Sequence, residues 1–300
     1  MINNALVVVN GKGGVLKTSM TAQLAGLAAE AGWRVLAVDL DQQGNLARDL
    51  GYADRSDGGQ NLLEAVMGSA TLTPLRGIRR DLDVVPGGPY HLRLYREVAG
   101  GPAGNLVPTY GEIERVLRPL AEQYDLIVMD APPGGESIHL AALTAARWVL
   151  IPTQPDQGSL DGLSSVFRTM QSVRDTTNRN LSVLGVVLGP VPSQASRVRD
   201  DAFDQLRRSV GADVHVFERA IRHAQSIAVH CRDRGLLVHE YAKASEEATP
   251  WYKLSREERA NRKTFSQAAP ALAEDYQVLV DEILGLVTEA FVRDERTLYS

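Results

Sequence analysis

Short apolar runs alternate with longer, polar-striped ones along most of the chain. The runs Ala5–Asn10, Arg34–Leu40, Leu82–Val85, Leu126–Asp130, Trp148–Pro152 and Leu181–Leu188 are nearly all apolar and rich in β-branched residues. That pattern predicts strands covered on both faces, as in a parallel sheet. Between them the spacing predicts helices, among them Lys17–Ala31, Gly111–Gln123, Leu160–Arg174 and Ser196–Val210. The βαβα order implies an α/β fold with a mostly parallel sheet and helices on both faces. One domain over residues 1–300 is expected, with neither internal repeats nor low-complexity tracts.

Two stretches break the alternation. Residues 87–110 hold Gly87, Gly88, Pro89, Gly100, Gly101, Pro102, Gly104 and Pro108, which predicts a long mobile connection. Residues 241–270 are polar, contain Pro250 and Pro270, and carry six basic against four acidic side chains. A helical C-terminal extension is expected from Ala271 to about Phe291, with Leu279, Ile283, Leu286 and Val287 at helical spacing.

Composition narrows the function classes. The 300 residues are 44% hydrophobic and 23% charged, with a net charge of −5. A strongly basic nucleic-acid binder is not indicated, so any DNA contact needs a local patch. The single cysteine, Cys231, excludes an internal disulfide and a multi-cysteine zinc site. The first apolar run is too short for a signal peptide, and no stretch approaches the roughly 20 apolar residues of a membrane span. A cytoplasmic protein is expected.

The candidate chemistry begins at Gly11-Lys12-Gly13-Gly14-Val15-Leu16-Lys17-Thr18, directly between the first strand and the first helix, with Ser19 next. Small residues let successive backbone N–H groups turn in around a triphosphate, and the helix start adds its dipole. Lys17 is placed to reach the β- and γ-phosphates and Thr18 to bind Mg²⁺. ATP and Mg²⁺ are the cofactors expected. The general pattern has glycine where this chain has Leu16. The leucine must turn outward or the loop must widen, and the expectation is weaker ATP binding than a glycine variant shows.

Lys12, early in the loop, makes the segment resemble the deviant Walker A motif of the ParA/MinD superfamily. Val38-Asp-Leu-Asp-Gln-Gln-Gly-Asn-Leu46 is similar to that family's Asp-x-Asp-Pro-Gln-Gly-Asn segment, with Gln42 in place of proline. Leu126-Ile-Val-Met-Asp-Ala-Pro-Pro-Gly134 resembles its Walker B segment, and Ile151–Asp156 with Ser159–Leu163 matches a further block. The resemblance covers about residues 5–240 and resumes at Ala271–Leu284, leaving 241–270 as an insertion. It implies that Lys12 crosses a homodimer interface to the partner's phosphates and that Asp41 positions the attacking water. It implies too that Asp39 supports the Mg²⁺ and lysine network and that Asp130 holds Mg²⁺ through water.

The same resemblance implies a partitioning ATPase with nonspecific DNA binding, a nucleoid location and a ParB-like partner that stimulates hydrolysis. Residues 193–235 carry eight arginines against six acids. Arg197, Arg199, Arg207 and Arg208 are candidate DNA contacts, or simply a solvated helix surface. Arg256, Arg259, Arg262 and Lys263 form a second basic group. Two other readings stay open: a MinD-like positioning ATPase that uses a membrane, and a nucleotide-binding scaffold whose hydrolysis Leu16 impairs. The base-contacting residues are not assignable, because Gly189 and Pro190 stand where a polar residue is usual.

Overall fold

The computed structural model describes residues 1–100, 110–154, 156–192, 196–247, 266 and 268–298. Seven strands form one sheet: β1 (Ala5–Val8), β2 (Val35–Asp39), β3 (Leu75–Arg79), β4 (Leu82–Val85), β5 (Leu126–Asp130), β6 (Trp148–Thr153) and β7 (Ser182–Leu188). Their order is β3-β4-β2-β5-β1-β6-β7. All neighbours are parallel except β3 and β4.

The apolar strands divide their side chains between two cores by the two-residue period of a strand. Ala5 and Val7 of β1, with Leu36, Val38, Ile127 and Met129, face one core; Leu6 and Val8, with Val35, Ala37, Leu126 and Val128, face the other. The first core is covered by α3 (Gln60–Val66), α4 (His91–Gly100), α5 (Glu112–Leu117), α6 (Glu136–Ala145), α7 (Gln157–Thr176) and α8 (Ser196–Val210). The second lies under α1 (Lys17–Glu30), α2 (Leu46–Asp49), α9 (Gln225–Arg234), α10 (Val238–Glu247) and α11 (Ala269–Leu298). Both faces are therefore roofed by helices, as the run of apolar strands requires.

Three expectations change. The glycine- and proline-rich stretch after β4 is not a loop throughout, because α4 occupies His91–Gly100. Its buried residues His91, Leu94 and Val98 fall three and four apart, and this stripe anchors it. The edge strand β3 was not expected: Leu-Arg-Gly-Ile-Arg is half-exposed, pairs on one side only, and so lacks an apolar run. The closing helix is longer, running Ala269–Leu298 with Leu279, Val280, Ile283 and Val287 buried. The start of the expected insertion is the end of α10, and residues 101–109 and 248–265 lie outside the described residues. Among the described residues, no helix is long and apolar enough to cross a membrane.

Candidate nucleotide site

β1 ends at Val8, and the chain turns through Asn10–Leu16 before α1 begins at Lys17. Asn10 fixes the entry: its side chain is buried, donates 2.8 Å to the Pro152 carbonyl and accepts 2.9 Å from the Lys12 N–H. Gly14 (φ 77°) and Leu16 (φ 64°, ψ 14°) both take the left-handed conformation. Glycine does this freely, whereas an L-residue does so at a cost. Leu16 is half-buried and packs against the core beneath α1 and α9.

Lys17 is buried at the start of α1, and its ammonium donates 2.7 Å to the Lys12 carbonyl. Burial lowers its pKa, opposed by the carboxylates of Asp130 and Asp41. Those two acids, with Asp39, reach the loop from the carboxyl ends of adjacent strands. Asp39 pairs with Asp130 across β2 and β5. All three are at least 95% removed from solvent. Burial drives the Asp39 pKa well up, with Asp130 adding to it. Burial likewise pushes Asp130 up to about 7, partly offset by the Thr18 hydroxyl. Such crowding of buried acids asks for positive charge beyond one lysine.

The donors fit a magnesium ion. Asp130 Oδ2 is buried without a hydrogen-bond partner, while Oδ1 accepts a long 3.4 Å bond from Thr21. No group of three His, Cys, Asp or Glu among the described residues could cage a metal alone. That suits an ion that keeps several waters and takes phosphate oxygens as ligands. Asp39 is held by the N–H groups of Asp41 (2.9 Å) and Leu46 (3.3 Å), and Asp41 accepts from the Gln43 N–H (2.9 Å). Gly87 lies so close that a Cβ there would stand 2.6 Å from Asp39 Oδ1.

Lys12 sits at the rim. Its ammonium donates to both oxygens of Asp156 (2.7 and 2.9 Å) and to Ser159 Oγ (3.1 Å). Asp156 also caps α7 by accepting from the Ser159 N–H, and its pKa is lowered chiefly by the Lys12 hydrogen bond. Both partners remain substantially exposed.

The loop, the three acids and the two lysines thus share one place. A family model described as an AAA domain matches residues 3–183. The chromosome-partitioning ATPase Soj of Thermus thermophilus is 31% identical over 258 residues, covering 84% of this chain and 94% of that protein. The chain belongs to the ParA family of P-loop ATPases. An ATP complex of a Cyanothece McdA variant has the same fold, with a TM-score of 0.74 at 20% identity over 94% of this chain and 96% of that one. Cobyrinic acid a,c-diamide synthase from Mycobacterium smegmatis, with bound ADP and magnesium, aligns at a TM-score of 0.64 and 26% identity, over 77% of this chain and 92% of its own.

Two features of this ParA-family chain were not legible beforehand. An apolar pocket of about 220 Å³ opens beside the loop, lined by Gly14, Leu16 and Ser19 on one side and Pro190, Ile221 and His223 on another. Cys231 closes its floor, buried, its thiol pushed up to about 12. The pocket joins segments distant in sequence, so no local motif marks it. The second is Tyr95 on α4, whose hydroxyl contacts the Asp41 loop.

The arginine candidates fare differently. Arg199, Arg207 and Arg208 are exposed on α8; the Arg197 side chain lies outside the described residues. Asp200, Asp201 and Asp204 are exposed beside them, with Arg199 3.4 Å from Asp200 and Arg207 over the Phe203 ring. Arg222 and Arg232 are committed to Asp275 and Asp49. Arg256, Arg259, Arg262 and Lys263 lie outside the described residues.

Proposed function

We propose that this chain is an ATP-driven partitioning switch. ATP and Mg²⁺ occupy the loop Gly11–Ser19, with Lys17 on the β- and γ-phosphates. Thr18 and Asp130 would hold the ion, with Asp39 supporting the magnesium and lysine network. When bound, the ion would neutralise phosphate charge. The pocket between Leu16 and Pro190 takes the nucleoside. Asp41 orients the attacking water. Lys12 of each copy leaves Asp156 and crosses to the other copy's phosphates, so a homodimer closes only around ATP. The dimer contacts DNA without sequence preference, and a ParB-like partner stimulates hydrolysis and release.

The observation that carries this reading is the convergence of Lys17 with three buried acids at one phosphate loop. It supports hydrolysis over an inert nucleotide scaffold, since Leu16 packs against the core under α1 and the charged groups Lys12, Lys17, Asp39, Asp41 and Asp130 are all present.

The test is a pair of variants assayed for nucleotide binding and turnover, with and without DNA. Lys17→Ala is expected to abolish binding, because it removes ground-state charge pairing. Asp41→Ala is expected to bind ATP and fail to turn it over. Equal loss of binding in both refutes this division of roles.

A further inference from the structure

The loop carrying Asp41 has an anchor that the phosphate-binding motif does not include. Tyr95 lies on α4, whose Leu94 and Val98 are buried in the core and whose His91 is fully enclosed one turn earlier. α4 is also tied to α6, where Ser137 Oγ donates 3.4 Å to the Tyr95 carbonyl. The Tyr95 hydroxyl donates 2.7 Å to the carbonyl of Leu40 and accepts 3.1 Å from the N–H of Gln42. These two peptide groups flank Asp41 on either side. One rigidly mounted oxygen therefore grips the backbone immediately before and after that carboxylate. Burial and the nearby carboxylates raise the phenol's pKa, so it stays protonated and able to donate.

The Gln42 N–H gives the contact its meaning. The segment this loop resembles has proline at that place. A proline has no N–H to satisfy and a fixed φ, and it restricts the residue before it, here Asp41, to extended conformations. Gln42 lacks those restraints and brings a donor that needs a partner. Tyr95 supplies the partner and, through Leu40, a second restraint on the same turn.

We propose that Tyr95 is a positioning residue for hydrolysis, holding the Asp41 carboxylate in register with the attacking water and replacing at Gln42 the restraint a proline would impose. The inference rests on the reading of Asp41 given above. It concerns turnover, because the Tyr95 hydroxyl bonds to the backbone around Asp41, whereas Lys17 and the loop Gly11–Ser19 form a separate ligand surface.

The experiment is single-turnover hydrolysis of Mg-ATP by the full chain in four forms: wild type, Tyr95→Phe, Gln42→Pro and the double variant. ATP affinity and melting temperature are measured on each. Tyr95→Phe is expected to slow turnover about tenfold, since small misplacements of a catalytic group cost one to two powers of ten. ATP affinity should stay within about twofold, because ground-state binding is untouched. In the Gln42→Pro background, the same Tyr95→Phe change should cost less than about threefold, as the restraint no longer depends on the hydroxyl.

Three results overturn the proposal: an equal slowing in both backgrounds, a loss of affinity parallel to the loss of rate, or a lower melting temperature with unchanged turnover. If the proline variant does not fold, the split between rate and affinity in Tyr95→Phe decides alone. Asp41→Ala measured alongside separates the two readings. Normal hydrolysis by Asp41→Ala sinks the role of Asp41 itself, whereas a dead Asp41→Ala beside an unaffected Tyr95→Phe sinks only the role of Tyr95.

Discussion

Leu16 stands where a phosphate-binding loop ordinarily has glycine, and its left-handed backbone allows its replacement to be worked through. A left-handed conformation costs an L-residue about 1–2 kcal/mol. Leu16→Gly relieves that, but adds roughly 0.5–1 kcal/mol of unfolded-chain entropy. It also forfeits the packing of a half-buried leucine, about 1 kcal/mol when full burial is worth roughly 1.5–3. The three terms nearly cancel, so the glycine variant should match wild type in stability to within about 1 kcal/mol. Leu16→Ala keeps the strain and loses the packing. It should therefore fall below the glycine variant by about 0.5–1 kcal/mol, the reverse of the order at an ordinary helix position. Binding follows the same geometry. The backbone at Leu16 already has the conformation a glycine would take, and Leu16 is one of many residues lining the pocket, so its loss removes only a small part of the wall. In place of the tighter binding expected of the glycine variant from the sequence, ATP affinity should then change by less than about threefold on Leu16→Gly, or ~0.65 kcal/mol. Urea denaturation of the three proteins and titration with a non-hydrolysed ATP analogue provide the measurements. Alanine as stabilising as glycine would show that the residue is not left-handed in solution. A tightening of tenfold or more on Leu16→Gly would show that the leucine displaces a phosphate-binding N–H after all.

The Lys12–Asp156 pair is exposed enough to be worth no more than about 1 kcal/mol. Asp156→Asn should therefore leave the fold intact and increase ATP-dependent dimerisation, by less than about fivefold, as read by light scattering; a weaker dimer would mean that Asp156 holds Lys12 in its working position. His91 is fully buried, with neither ring nitrogen partnered among the described residues, and burial lowers its pKa to about 4. Its unfolded form binds a proton below about pH 6.5 while the folded form does not, so stability is full above that pH and falls as the pH drops toward 4. Between pH 7.5 and 5.0 the loss from this one group should be about 2 kcal/mol. His91→Met should remove that increment, and since His139 and His239 are also lowered, the difference between the two proteins is what counts. Identical pH dependence in both would refute it.

What could be read in advance divides along physical lines. The central strands are covered on both faces, so their apolar runs are unambiguous, and β2, β4, β5, β6 and β7 lie within a residue or two of where the runs place them. The strand–turn–helix setting of Gly11–Thr18 is equally legible, because adjacent small residues and a helix start mark it. Features made by distant segments left no local trace. The pocket beside Leu16 needs Pro190, Ile221 and His223 from after β7 to meet the loop after β1. The helix α4 was hidden for a different reason: Gly87, Gly88 and Pro89 punctuate its entry, and the two glycines let backbone pass close to Asp39 at Gly87 and close to Gly58 at Gly88.

That last point bears on how the site is built. A Cβ at Gly87 would stand 2.6 Å from Asp39 Oδ1, so the glycine that reads as loop punctuation is what lets the chain after β4 pack against the acid cluster. Only after that close passage can α4 begin at His91 and bring Tyr95 to the Leu40 and Gln42 peptides. The residues that make the segment look irregular therefore permit its one regular element to reach the loop carrying Asp41. A sequence motif records the groups that touch phosphate, because their spacing along the chain is short and fixed. It cannot record a hydroxyl that acts from more than fifty residues away, through two hydrogen bonds to backbone. Signals of that kind emerge only when the loop's own departures, here Gln42 with an N–H where proline has none, are matched to whatever satisfies them in the folded chain.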